Sequence, residues 1–376
     1  MCMKEEAGFD KILLISSLAL VCAGIVMVYS ASAVLAADRF HDGCFFLKRQ
    51  ALFAFVGLLV MIVASRVNHH FYGKIVYIIL GVSCVSLIAV LIPGIGVKVG
   101  GATRWLKIGG VSIQPSEFAK IALIVYLAYS LAKNEGNIKK FSVGVLPHLI
   151  ILGIVMLLIV EQPDMGTAVC IGVVALTLLF AAGVRIFHLS LTLLLASPIL
   201  YFLIANTDYR RQRILAYLNP WEYQADSGFQ LIQSWYAFGS GGILGRGLGD
   251  GKAKLFFLPE LHTDFIFSVI GEELGLIGVL AVLFVFFIFI FRGIRMAIQS
   301  SDLFSTYLAL GITTMVGLQA TIHMGVTMGL LPTKGITLPF VSYGGSSLLA
   351  NFIGLGILLN ISSKNLRSKR GQERPS

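Results

Sequence analysis

The sequence predicts an all-α polytopic membrane protein of about ten transmembrane helices, and three observations carry that prediction. Of its 376 residues, 57% are hydrophobic and only 13% charged, whereas a soluble domain carries about 25% charge. With a mean hydropathy of +0.86, such a chain cannot cover a globular surface with polar groups. The apolar residues gather in ten stretches, near 12–36, 51–65, 75–93, 115–132, 146–161, 166–184, 189–206, 263–291, 303–330 and 343–361. Basic residues divide unevenly among the connections. With the N-terminus inside, the cytoplasmic connections hold 15 Lys and Arg against 7 in the short outer ones, which places both termini in the cytoplasm. Soluble enzymes, nucleic-acid binders and disulfide scaffolds are excluded.

Open strands leave backbone groups unsatisfied in lipid, so each stretch reads as a helix. The first follows MCMKEEAGFDK, and its length suits a retained span better than a cleaved signal. The fourth opens on Gln-Pro-Ser, where Pro115 fits a first turn and Ser116 is placed to cap it. The fifth and sixth are separated only by Glu161-Gln-Pro-Asp164. After the seventh comes the single long connection, 207–262, read as a large extracytoplasmic loop. The eighth is read as helical from Thr263, and its Phe-rich run from Val279 to Phe291, with the ninth, as the face for a membrane partner. The basic segment 362–376 is expected to be a disordered cytoplasmic tail on anionic lipid. No repeat or inverted half is apparent, so 1–376 reads as one integral membrane domain. Cys2, Cys22, Cys44, Cys84 and Cys170 form no CxxC pair and build no metal or disulfide framework.

Ionisable residues in or beside spans are costly and mark function by default. Glu117 and Lys120 are three residues apart on one helical face, either a functional pair or a mutually neutralising one. Asp164 is placed to cap the sixth span or to serve a site. His262 and Asp264 lie at the outer start of the eighth span, with Glu272 and Glu273 deeper along it. No second His accompanies His262, so Asp264 is read as a general base, alone or holding a hard divalent ion (Mg2+ or Mn2+) rather than zinc. The segment 331–347 carries two prolines and Gly344-Gly345, a non-helical stretch where Lys334 and backbone N–H groups are able to face phosphate.

The long connection adds Arg210, Arg211, Arg213, Arg246, Lys252 and Lys254, nearly balanced by Asp208, Glu222, Asp226, Asp250 and Glu260. They serve either an anionic ligand or simple solvation. The run Gly239–Lys252 tempts a nucleotide-phosphate reading, but Arg246 stands where that loop requires Gly. It is expected to be a mobile re-entrant or lid-like loop.

These pieces resemble the SEDS family (shape, elongation, division and sporulation) of bacterial peptidoglycan assembly. The matching segments are VMVYSAS (26–32), FFLKRQ (45–50), GGATRW (100–105), IQPSEFAK (113–120), EQPDMGT (161–167), LPELHTDFIFSVIGEELG (258–275) and LPTKGITLPFVSYGGSS (331–347). They span nearly the whole chain in family order. The Thr-Lys of LPTKG looks more like the division branch than the elongation branch, and the sporulation branch is close to it.

The resemblance implies a peptidoglycan glycosyltransferase of the bacterial cytoplasmic (inner) membrane, at the division septum. Its implied substrate is lipid II, a disaccharide-pentapeptide on undecaprenyl diphosphate. Its implied partners are a class B penicillin-binding protein and other division-machinery membrane proteins, with no nucleotide and no nucleic acid. It further implies Asp264 as the essential acid, with Glu117, Lys120 and Asp164 supporting it. Arg49, Arg104, Arg210, Arg213, Lys334, His262 and Ser342 complete the candidate site. Two rival readings are a lipid II flippase, which needs charges along a path across the bilayer, and a non-catalytic division scaffold, which needs none of these acids.

Overall fold

The structure, a computed structural model, describes residues 8–99, 102–224, 228–252 and 261–372. Every one of the ten apolar stretches is helical. In chain order the helices are α1 (Lys11–Phe40), α2 (Phe45–Arg66), the short α3 (His70–Lys74), α4 (Val76–Leu91), α5 (Pro115–Lys133), α6 (Leu146–Val160), α7 (Met165–Ala181), α8 (Ile186–Ala205), α9 (Asp208–Leu218), α10 (Phe229–Gly241), α11 (Ile266–Ile298), α12 (Leu303–Thr327) and α13 (Gly345–Gln372). Seven of the apolar helices are long and apolar enough to cross a membrane, the 141–160 stretch counted with α6, and the apolar α4 and α7 are shorter.

Burial ranks these helices by position. The apolar windows of α12 and α13 are 72% and 78% buried, whereas that of α8 is 6% buried. The first two form the centre of the bundle, against α5, α11 and α2, and α8 presents its Leu, Ile and Phe side chains outward. Because α12 is buried, the partner face expected on the eighth and ninth stretches reduces to α11, where Leu280, Phe284, Phe287 and Phe291 are exposed. Exposed apolar side chains are as abundant on α2, α4 and α8, so exposure alone singles out no face.

The two ends of the bundle are held by different chemistry. At one end Asp10 caps α1 by accepting from the Leu13 N–H at 3.0 Å, and it accepts from Arg292 Nε at 2.8 Å. The same end holds His69 against Asn360 and Lys364 against Asn68. At the other end Ser30 donates to Glu273, Gln50 to the Ser342 carbonyl, and the Gln114 N–H to Ser346. Connections assigned to one side by the distribution of basic residues thus gather at one end.

Four local expectations are corrected. The 94–114 connection is a small antiparallel sheet of β1 (Gly96–Val99), β2 (Ala102–Ile108) and β3 (Val111–Ile113), in that order. Gly109 and Gly110, with φ of 56° and 85°, make the two-residue turn between β2 and β3. The long connection 207–262 contains α9 and α10. The chain after residue 361 continues as helix to Gln372 instead of fraying into a tail, because α13 extends past its apolar part. Finally, α11 begins at Ile266, so Thr263 and Asp264 lie in the turn before it.

Close packing of α1 against the 331–344 segment requires a glycine. A Cβ on Gly24 would meet the Val341 backbone at 2.7 Å and the Phe340 carbonyl at 2.8 Å, whereas one on Gly81 in α4 would meet nothing within 4 Å. Gly24→Ala is therefore expected to cost about 1–3 kcal/mol through overpacking, lowering the thermal midpoint in detergent. Gly81→Ala is expected to be neutral or slightly stabilising by helix propensity. Equal midpoints for the two variants would refute this packing.

Candidate functional site

The site is organised around residues 331–344, which join α12 to α13 without helix. Burial at this depth demands a partner for each backbone group, and distant parts of the chain supply several. Thr333 O accepts from Arg213 Nη1 at 3.0 Å, and Ile336 O bonds to His323 Nδ1 at 2.7 Å. Ser342 Oγ accepts the Leu338 N–H at 2.8 Å and donates to Thr263 O at 2.7 Å. The Tyr343 N–H donates to His262 O at 2.9 Å. Ser342 and Tyr343 therefore fix the backbone on the N-terminal side of Asp264. His262 is packed between Phe46 and Tyr343, at 4.5 and 5.4 Å between ring centroids.

Asp264 is half-buried, and its carboxylate lies against Gly335: a Cβ there would stand 3.0 Å from Oδ2. Lys334, the preceding residue, runs the other way. Its Cδ passes over the start of α7, 3.6 Å from where a Gly166 Cβ would be. Burial pulls the Lys334 ammonium below the ordinary lysine range and Arg213 adds to that, while Cys170 and Asp164 oppose it.

Asp164 caps α7 by accepting from the Thr167 N–H at 3.2 Å, so the capping reading holds. Glu117 and Lys120 form a buried ion pair, with Lys120 Nζ 2.9 and 2.8 Å from the two carboxylate oxygens. Both are at least nine-tenths buried. A narrow cavity of about 20 Å³ beside the pair is lined also by Gln319 and Asn351, room for one water and nothing larger. Glu117, Lys120, Asp164 and Lys334 all lie within electrostatic range of the buried Cys170 on α7. The structure therefore brings four of the predicted charges around one helix start, with Asp264 joined to them through Gly335 and Lys334.

The capping role expected of Ser116 goes elsewhere. Gln114 occupies the N-cap, Pro115 opens α5, and Ser116 is buried beneath, 3.1 Å from Gln114 Nε2. Among the arginines, Arg213 alone touches the 331–344 segment by a named bond. Arg104 is spent on the Gln162 and Pro163 carbonyls, where Pro163 has a φ of 30°. Arg210 binds Leu203 O at 2.9 Å, and Arg49 lies over the Phe45 ring at 4.5 Å. Arg211 pairs with Asp208, and Arg246 reaches Ser240 O. Lys254, Asp226 and Glu260 lie outside the described residues.

Glu272 and Glu273 have a structural explanation. Gly275, at φ 66°, interrupts α11 and frees the carbonyls of both glutamates. The Gly-rich connection repairs the break: the Arg246 and Gly247 N–H groups donate to Glu272 O and Glu273 O at 3.1 and 3.0 Å, and the Leu276 and Ile277 N–H groups to Gly242 O and Ile243 O. Glu272 Oε1 also accepts the Lys252 N–H at 2.7 Å. This segment is pinned to α11, which corrects the lid-like reading.

Sequence reasoning missed Gly335, Gln319 and Asn351. A glycine following Lys334 in a proline-bounded segment was the available signal for the first. The other two are single amides in apolar helices, indistinguishable by sequence from polar residues that face a neighbour for structural reasons.

A divalent ion at Asp264 would find one carboxylate. Among the described residues, the only group of three or more His, Cys, Asp or Glu close enough to share an ion lies elsewhere. One carboxylate completed by water and substrate phosphate suits Mg2+, so Asp264 fits such an ion as a single anchor.

Comparison with known proteins places the chain. The family profile for FtsW, RodA and SpoVE, described as "Cell cycle protein", matches residues 10–367. The chain is 51% identical over 362 residues to the probable peptidoglycan glycosyltransferase FtsW of Geobacter metallireducens, covering 96% of each. It is 43% identical over 358 residues to the stage V sporulation protein E of Bacillus subtilis, covering 95% of this chain and 98% of that one. Among solved structures, a chain described under "Structural coordination of polymerization and crosslinking by a peptidoglycan synthase complex" superposes with a TM-score of 0.78 at 28% identity, covering 95% and 98%. The rod shape determining protein RodA of Thermus thermophilus superposes with a TM-score of 0.70 at 26% identity, covering 98% and 99%. With the family profile covering almost its whole length and relatives near 50% identity, this multi-pass membrane protein belongs to the FtsW/RodA/SpoVE family of cell cycle proteins, the SEDS family.

Proposed function

We propose that this protein is a peptidoglycan glycosyltransferase that polymerises lipid II at the outer face of the bacterial cytoplasmic membrane, for septal wall synthesis. The observation that carries the reading is the placement of Asp264, held in the turn before α11 by Ser342 and Tyr343 and facing the Lys334-Gly335 backbone. Relatives near 50% identity carry the name of that activity and of the division branch.

The chemistry is one displacement with inversion. Asp264 accepts the proton of the acceptor sugar's 4-hydroxyl as that oxygen bonds to C1 of the donor's MurNAc. The C1–O bond to undecaprenyl diphosphate breaks, and the electron pair leaves with the diphosphate. Lys334 and Arg213, adjacent on and beside the 331–344 segment, supply positive charge for that leaving group. A divalent ion anchored at Asp264 would supply further charge neutralisation there. The Glu117–Lys120 pair sets the electrostatic background at the start of α5 and positions the neighbouring charges. A class B penicillin-binding protein is the proposed partner, supplying the crosslinking step. Among the described residues, no Asp, Glu, Lys or Arg occupies the middle turns of the ten apolar helices. That distribution favours a polymerase at one surface over a flippase.

Asp264→Asn keeps shape and removes basicity. It is expected to fold, insert and still bind its penicillin-binding partner, while polymerisation of purified lipid II falls by at least about 10²-fold. Wild-type glycan chains from a preparation free of other polymerases would overturn the assignment.

The buried pair yields a second expectation. Lys120→Ala leaves Glu117 unpaired and is expected to cost about 3–5 kcal/mol along with activity. Glu117→Ala/Lys120→Ala is expected to regain much of the thermal stability without regaining polymerisation. A double variant that polymerises normally would show the pair to be purely structural.

A further inference from the structure

His69 and His70 join α2 to α3 at the end of the bundle away from Asp264, and the glycosyltransferase reading uses neither. Asn360 Oδ1 lies 2.8 Å from His69 Nδ1 and accepts the His69 backbone N–H at 3.0 Å, while its Nδ2 donates to Ser65 O at 2.7 Å. That orientation makes Oδ1 the acceptor, so the ring proton is on Nδ1 and Nε2 presents a lone pair. The lone pair faces Ser305 Oγ at 2.6 Å, and the same hydroxyl is 2.6 Å from Asp302 Oδ2. One hydroxyl proton cannot serve both acceptors. A cation between them would relieve that competition.

A third donor completes the arrangement. His70 Nε2 is 3.7 Å from Asp302 Oδ2, and one ligand atom from each of His69, His70 and Asp302 lies within 4.8 Å of the other two. We propose that His69, His70 and Asp302 bind a divalent transition-metal ion of the zinc type, which bridges the α2–α3 turn to the start of α12. Two imidazoles with one carboxylate form a recognised ligand set for such an ion, with the fourth position left for water or the Ser305 hydroxyl. Bonds of about 2.0–2.1 Å would draw the donors to about 3.3 Å apart, a closure of about 0.4 Å from the 3.7 Å His70–Asp302 separation and of at most about 1.5 Å for the other pairs. The Nδ1–H bond to Asn360 is the outer partner that orients a metal-bound imidazole, and it extends the brace to α13.

The test uses the full-length protein in detergent micelles, with any affinity tag removed and metal stripped by chelator. It is titrated with Zn2+ by calorimetry and with Co2+ by visible absorption. The wild type is expected to bind one ion per chain with the absorption of a tetrahedral Co2+ site, and saturating Zn2+ is expected to raise its thermal midpoint. His70→Ala and Asp302→Asn are expected to weaken binding by more than about 100-fold, beyond the 10–100-fold typical of losing an outer partner, and to abolish the thermal shift. His70→Cys is expected to keep the ion and add a thiolate-to-cobalt charge-transfer band, which decides the matter should His70→Ala fail to fold. Absence of stoichiometric binding, unchanged binding in both loss variants, or a His70→Cys protein without the new band would overturn the proposal.

Discussion

The whole architecture depends on one constraint: a stretch of non-helical backbone, residues 331–344, is buried at the end of a helical bundle. Its polar groups have no helix of their own, so distant parts of the chain must serve them. Arg213 comes from α9, His323 from α12, Gln50 from α2, and the 262–263 carbonyls from the turn before α11. Gly24 lets α1 close directly on the 340–341 backbone. What looks like a scattered set of motifs in the sequence is largely the set of residues this segment requires. Asp264 is held in place as a by-product of the same bonds.

Charge burial follows a consistent logic. Where the chain buries an acid, it supplies a donor from nearby backbone or a single side chain: Thr167 N–H for Asp164, Ser30 for Glu273, Lys252 N–H for Glu272, Lys120 for Glu117. The last is a buried ion pair, and the cavity beside it admits a single water. Lys334 and Arg213 bring positive charge to the same end of the bundle, Arg213 through its bond to Thr333 O.

The helices were legible because lipid imposes both a length and an apolar composition: all ten stretches are helical, although α2, α11 and α13 run 6 to 11 residues beyond one expected bound. The Asp164 cap was legible for a similar reason, since a short turn before an apolar run leaves an acid few other roles. The sheet at 96–113 escaped because the membrane reading treated the connection as loop, although Gly109-Gly110 between β-prone residues carries a hairpin signal. The pinning of the Gly-rich segment was invisible for a different reason. It exists only because Gly275 breaks α11, and a glycine inside an apolar run gives no indication that the helix is interrupted. The arginines show the limit of charge reasoning: Arg104 and Arg210 count among the candidate site residues by charge and position, and their guanidinium groups brace carbonyls at the ends of helices.

The pairing of α13 with α2 has a consequence for biogenesis. Some 290 positions separate Gln50 from the Ser342 carbonyl it binds, so α2 leaves the ribosome long before the 331–344 segment and α13. A nascent chain that already contains Asp264, Glu117 and Lys120 still lacks Ser342 and Tyr343, which hold the turn carrying Asp264. That turn is therefore fixed only after the 331–344 segment has emerged and α13 has packed back against α2. A ribosome stalled before that point leaves an inserted chain whose Asp264 turn is still unheld.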